Sequence, residues 1–214
     1  MSTREPGRSR AGVPPTLVDA NRLWVDSRPR ALLQARFEAA VLRRLGGEVP
    51  GGHVLEVGTG RRGTGLRLAV EVFGAARADG VELYPASVAA CRAAVADLGA
   101  AVGVEQGDAT ALSAADASYD AVFSWHTLHH CADWRSAVAE AARVLRPGGR
   151  FLDCEMTARI VDSRPLRAVS FHPADGDRPT PDTLADACRA AGLRVQAQQT
   201  RFAGCWTALV AVRE

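Results

Sequence analysis

The chain has 214 residues, 47% of them apolar, enough for one well-buried domain and too few for two comfortable ones. Its formal net charge of +2 is too mild for a dedicated nucleic-acid surface, which shows clustered positive charge. All 26 basic residues are Arg, so Schiff-base catalysis, a P-loop lysine and a Tyr-x-x-x-Lys pair are excluded.

Residues 1–15 are rich in Arg, Ser, Gly and Pro with few apolar positions, the composition of a disordered tail. A single domain is expected over 16–214, opening with a helical cap at 16–50. There Leu32, Leu33, Phe37, Val41, Leu42 and Leu45 recur at helical spacing, with a break at Arg28-Pro29. Strands and helices then alternate: strand 53–58, helix 63–73, strand 77–83, helix 86–98, strands 102–106 and 121–125, helix 133–145, strand 149–155. Such alternation predicts an α/β fold, a parallel sheet covered by helices on both faces. Residues 156–180 lack periodic apolar positions and read as a connection or lid. A helix over 181–191 ends at Gly192, and strands 194–202 and 206–212 form an antiparallel hairpin through Gly204.

Five cysteines, Cys91, Cys131, Cys154, Cys188 and Cys205, stand without a Cys-x-x-Cys pair, as expected of reduced thiols in a cytoplasmic protein. The chain shows neither a signal-peptide h-region nor an apolar run of about 18 residues, so no membrane association is expected.

The segment 54–66, Val-Leu-Glu-Val-Gly-Thr-Gly-Arg-Arg-Gly-Thr-Gly-Leu, is the most informative stretch. An apolar run meets a glycine cluster and opens into a helix, the arrangement of a nucleotide-cofactor loop. Gly58 and Gly60 permit a tight turn and close backbone approach to a ligand, Gly63 permits close packing of the helix on the sheet, and the helix aims free N–H groups into the loop. The spacing Gly58-x-Gly60-x-x-Gly63 alone also fits a dinucleotide site. Glu82, 24 residues beyond Gly58 at a strand end, can accept hydrogen bonds from ribose hydroxyls or stand as an ordinary solvated acid. Asp108 can accept from an adenine amino group or cap a turn, and Ala109 leaves room for a ring.

Four stations taken together, Glu56-Val-Gly-Thr-Gly60, Val81-Glu82-Leu83, Gln106-Gly-Asp108-Ala109 and Arg143-Val-Leu-Arg-Pro-Gly-Gly149, resemble those of class I S-adenosylmethionine-dependent methyltransferases. The resemblance covers residue 30 to the C-terminus and is strongest over 53–155. It implies a Rossmann-like, seven-stranded, mostly parallel sheet, with S-adenosyl-L-methionine as cofactor and S-adenosyl-L-homocysteine as product. Glu56, Gly58, Thr59, Gly60, Glu82, Leu83, Asp108, Ala109 and Ser124 are then the expected cofactor-binding residues, with Glu56 at the methionine end. Arg61 and Arg62 depart from the small residues usual after Gly60; they either reach an anionic substrate or form a solvated pair. The Arg143–Gly149 segment is architectural: Val144 and Leu145 finish a helical stripe, Pro147 stops it and Gly148-Gly149 turns the chain.

Trp125-His126-Thr-Leu-His129-His130-Cys131 begins where the fourth strand ends, the edge that carries the reacting end of the cofactor in this architecture. His126 and His130 are candidates for the base or acceptor anchor; both also read as ordinary core or surface histidines. Helical spacing of His126, His129 and His130 could hold a metal, but no carboxylate completes a signature and none is expected. Trp24, Phe171 and His172 are candidates for the pocket wall. The reading is methyl transfer to O, N or C of a small-molecule acceptor. Its alternatives are a non-catalytic cofactor-binding protein of the same fold and, on the glycines alone, an NAD-dependent oxidoreductase.

Overall fold

The computed structural model describes residues 25–164 and 177–214; the tail 1–15, Trp24, Phe171 and His172 lie outside the described residues. The strands are β1 (His53–Val57), β2 (Arg77–Glu82), β3 (Val102–Gln106), β4 (Tyr119–Trp125), β5 (Leu145–Met156), β6 (Leu193–Arg201) and β7 (Trp206–Arg213). They form one seven-stranded sheet in the order β3-β2-β1-β4-β5-β7-β6. Strands β3 to β5 pair in parallel, and β7 runs antiparallel to both β5 and β6. The predicted strands are all present, including the terminal hairpin.

Helices α1 (Arg28–Leu33) and α2 (Ala39–Arg44) flank a π-helical turn, Gln34–Glu38; they are followed by α3 (Thr64–Glu71), α4 (Pro85–Ala94), α5 (Trp134–Val144), α6 (Ala158–Val161) and α7 (Pro181–Ala190). Strand alternation sorts the core into two layers. Val54, Phe123, Trp125, Leu152 and Val210 pack with Leu42, Leu66 and Val88 of α2, α3 and α4. Leu55, Val122, Phe151 and Leu209 pack with Trp134, Val138 and Leu184 of α5 and α7. Each fully buried side chain of Leu or Phe size contributes about 1.5–3 kcal/mol relative to exposure.

Several local readings need correction. The break expected at Arg28-Pro29 falls two residues earlier, at Asp26-Ser27, and α1 starts at Arg28: Ser27 caps it by accepting from Arg30 N–H at 3.2 Å, and Pro29 falls in the first turn. The apolar stripe predicted there fails at Leu32 and Leu33, which are 52% and 45% exposed, while Gln34 and Glu38 are buried. A π turn fits an extra residue into one helical turn, rotating polar positions inward where an uninterrupted 3.6-residue repeat would bring apolar ones. Leu145 ends as extended chain in β5, paired with Tyr119, and buries into the α5 layer from there. Among the described residues no helix is long and apolar enough to cross a membrane.

The chain runs outward from β1 through β2 to β3 and then returns to β4 on the other side of β1. The loops after β1 and β4 therefore diverge at the switch point of the sheet, where open α/β sheets form their binding crevice.

Candidate active site

The loop after β1 is built by left-handed backbone at Gly58, Gly60 and Gly63, with φ of 74°, 60° and 56°. A Cβ on Gly58 would strike the Thr127 side chain, so this glycine lets the β1 and β4 loops touch. Thr127 Oγ1 donates to Val57 O at 3.1 Å and fixes the same junction. Nothing lies within 4 Å of a Cβ placed on Gly60, so this part of the loop faces open space. Gly63 differs from its expected role: a Cβ there would meet Val95 Cγ1 at 2.5 Å and Cys91 Sγ at 2.9 Å, so it admits the residues of α4 and its C-cap. Close packing of α3 on the sheet depends instead on Gly65, whose missing Cβ makes room for the Glu56 carboxyl and Trp125.

Glu82 is buried at the end of β2 and closes the loop: Gly60 N–H donates to Oε2 at 2.9 Å and Tyr84 N–H to Oε1 at 3.1 Å. A carboxylate has about four acceptor sites, so two remain for a diol. Leu83 and Tyr84, next along the chain, are 51% and 63% exposed. Such large apolar side chains at a sheet edge supply a surface for a planar ring. Tyr84 was not anticipated; its one sequence signal is its place two residues after Glu82.

Glu56 lies fully inside, under the first turn of α3, and its Oε2 has no hydrogen-bond partner. Burial, helped by the Glu82 charge and opposed by a backbone bond from Leu66, pushes its carboxyl up to about 8. An orphaned buried acceptor beside a glycine loop is the environment a cationic ligand group would satisfy. Thr59 is also buried, with its methyl against Gly80, so its side chain faces inward. Asp108 is exposed; Oδ1 accepts from Thr110 N–H and Oγ1, both at 2.8 Å, the Asx turn of its plainer reading. Ala109 beside it is half-buried.

Ser124 does not join this group. It points to the sheet face opposite Glu56, wholly buried, level with Asp153 of β5. The two-residue alternation of β4 is the reason: Phe123 and Trp125 take the α3 face, leaving Ser124 to the other. Arg61 and Arg62 bind the start of the helical cap, through Asp26 Oδ2 at 3.5 Å and Asp26 O at 3.2 Å. They border a groove of about 790 Å³ with Leu32, Ala35, Leu68 and Val72, but neither Glu56, Glu82 nor His126 lines it.

The histidines do not share a helix face, since only Leu128–His130 forms a 3-10 turn. Among the described residues no group of His, Cys, Asp and Glu is arranged to hold a metal. His129 is buried, with Nδ1 bonded to Glu155 Oε1 and its N–H donating to Oε2 at 3.2 Å. Burial holds its imidazole well below the usual range and pushes the Glu155 carboxyl up to about 7. His130 is exposed, its ring centre 4.1 Å from that of His129. His126 is different: it has φ of 56°, unusual for a residue with a side chain, and its Nε2 lies 2.9 Å from Glu38 Oε1 of the π turn. Sequence reasoning missed Glu38 because the helical repeat gave no reason to turn it inward.

Residues 55–153 match the family described as Methyltransferase domain. The chain is 36% identical over 124 residues to 27-O-demethylrifamycin SV methyltransferase of Amycolatopsis mediterranei, covering 54% of this chain and 45% of that protein. It is 32% identical over 161 residues to a Mycolicibacterium smegmatis protein named "Probable S-adenosylmethionine-dependent methyltransferase", covering 75% and 59%. The chain thus spans about half the length of these relatives. A solved Aquifex aeolicus structure titled as a SAM-dependent methyltransferase superposes with a TM-score of 0.68 at 20% identity, over 91% of this chain and 98% of that one.

Proposed function

The chain carries a class I S-adenosylmethionine-dependent methyltransferase domain, and from that premise we propose that it transfers a methyl group to a small-molecule acceptor. The observation that carries the reading is the pairing of Glu56 and Glu82 across one glycine loop. One is a buried acid with an orphaned oxygen, the other a strand-end carboxylate with two acceptor sites to spare.

The residues fit the cofactor. In this reading Glu56 holds its ammonium group, Glu82 its ribose hydroxyls, and Asp108, Ala109, Leu83 and Tyr84 its adenine, while the backbone of Gly58, Thr59 and Gly60 lines its path. When bound, S-adenosylmethionine supplies a methyl group already activated by a sulfonium. The protein's remaining work is to orient an acceptor, exclude water and take up a proton where the acceptor must lose one. His126 stands at the end of β4 for that last task, with exposed His130 as the other candidate. The dinucleotide reading of the glycines leaves Asp108 without a role, and the matched relatives are named as methyltransferases. Free thiols at all five cysteines support a cytoplasmic setting.

Calorimetry on a Glu82→Ala variant tests the assignment. Loss of two hydrogen bonds to a charged group, together with the loop tie to Gly60, should weaken S-adenosylmethionine binding at least tenfold. Affinity within a few-fold of the unaltered protein would remove Glu82 from the site.

A further inference from the structure

We infer that Glu38 is a positioning residue that fixes His126 as a proton acceptor, and that the site is accordingly built for a hydroxyl-bearing acceptor. The inference rests on the methyl-transfer reading and narrows its substrate class.

Glu38 stands on the π turn with its side chain 4% exposed. Its Oε2 receives both terminal nitrogens of Arg30, each at 3.2 Å, and its Oε1 faces His126 Nε2 at 2.9 Å. An ionised carboxylate can only accept, so Nε2 must carry the hydrogen of that bond. Neutral His126 then has its lone pair on Nδ1, which is buried and has no partner. The backbone is committed to the arrangement as well: His126 is left-handed, and its N–H donates to Cys154 O at 2.7 Å. A residue held in such a conformation by three elements marks a constrained site.

Electrostatics agree with the geometry. Burial alone would push the Glu38 carboxyl up, but His126 and then Arg30 outweigh it and hold it below the ordinary range. Glu38 is therefore held ionised beside His126. Three groups act on that imidazole: Glu38 from the cap, itself paired with Arg30, Glu155 from β5, and His129 from the 3-10 turn.

The chemistry follows by charge balance. The hydroxyl proton passes to Nδ1, and an oxygen electron pair forms the new C–O bond. The C–S bond breaks with its electrons remaining on sulfur, giving S-adenosylhomocysteine and a methyl ether. The positive charge that leaves sulfur reappears on the imidazolium, beside a carboxylate already in place, until the proton is released to solvent. A neutral amine offers a free lone pair without such help, so a preoriented base is of most use to a hydroxyl.

Nitrogen-15 NMR on histidine-labelled protein, with His126→Gln to assign the signal, tests this without turnover. His126 should be protonated on Nε2 when neutral. Glu38→Gln keeps an oxygen acceptor but removes the charge, and should lower the His126 midpoint by about one pH unit or more. A neutral His126 protonated on Nδ1, or a midpoint unmoved by Glu38→Gln, overturns the inference. If that variant does not fold, the tautomer in the unaltered protein decides. Calorimetry separates the two levels. Absent S-adenosylmethionine binding by the unaltered protein defeats the methyl-transfer reading, whereas intact binding with the wrong tautomer defeats only the role of Glu38. With catechol as hydroxyl probe and benzylamine, which has no hydroxyl, as amine probe, turnover of catechol should fall 100-fold or more in His126→Gln. Its acidic limb should move to lower pH in Glu38→Gln. Turnover of benzylamine alone, unaffected by His126→Gln, would contradict the hydroxyl assignment; if neither probe turns over, the NMR result decides.

Discussion

Glu56 shows how one residue can connect stability, ligand and pH. Its folded-state pKa of about 8 lies above the 4.5 of an exposed glutamate, with burial as the main cause. The native state therefore holds a proton that the unfolded state has lost between those values. This contribution is fully present below pH 4.5 and fades as pH rises through 8. Within the window it removes up to about 1.4 kcal/mol per pH unit. Denaturant titrations of Glu56→Gln should show a flatter stability profile over that range; an unchanged slope would mean that Glu56 is not held protonated. A cationic ligand group beside Glu56 favours its carboxylate, so S-adenosylmethionine binding at pH 7 should release a proton. Calorimetry in buffers of different ionisation enthalpy measures it, and zero release would separate Glu56 from the ligand.

At the scale of elements, the helix after the glycine loop carries a second constraint. Gly65 of α3 crosses directly over Glu56, and an added Cβ would also come within 2.7 Å of Trp125 Cδ1. Gly65→Ala should therefore cost about 1–3 kcal/mol through overpacking, read as a lowered melting temperature, even though alanine is the better helix former. A neutral or stabilising result would show that α3 can lift away from β1. These elements were legible in unequal measure. Strand β1, the loop and α3 stand out because an apolar run, three glycines and helical spacing occur in succession. The helical cap misled at Leu32 and Leu33 because periodicity assumes a uniform helix, and the π turn breaks that assumption. Its consequence, Glu38 reaching His126 across 88 positions of sequence, depends on tertiary packing that no local pattern records. Thr59 was placed by motif position and Ser124 by the family resemblance alone, and their inward orientation is set by strand and loop geometry.

For the whole molecule, sheet order explains why residues far apart in sequence converge. Glu56 is the penultimate residue of β1 and Glu82 ends the adjacent parallel β2, and β4 lies on the other side of β1, so His126 emerges beside the glycine loop. Alternating strands and helices were enough to anticipate a parallel sheet covered by helices on both faces, whereas its strand order, with β4 beside β1, emerges only in the structure. The acceptor is not legible in the same way, since it depends on cap and connection residues that follow no shared motif. The fold also makes a global prediction. Ligand at 100 times its dissociation constant stabilises a protein by about 2.7 kcal/mol, so saturating S-adenosylmethionine or S-adenosylhomocysteine should raise the melting temperature by several degrees. The most direct measurement is isothermal titration of the purified protein with S-adenosylmethionine, S-adenosylhomocysteine and NAD in parallel. Micromolar binding of the first two and none of NAD is the result predicted here. Binding of NAD alone would contradict the account and turn the glycine loop into a dehydrogenase site.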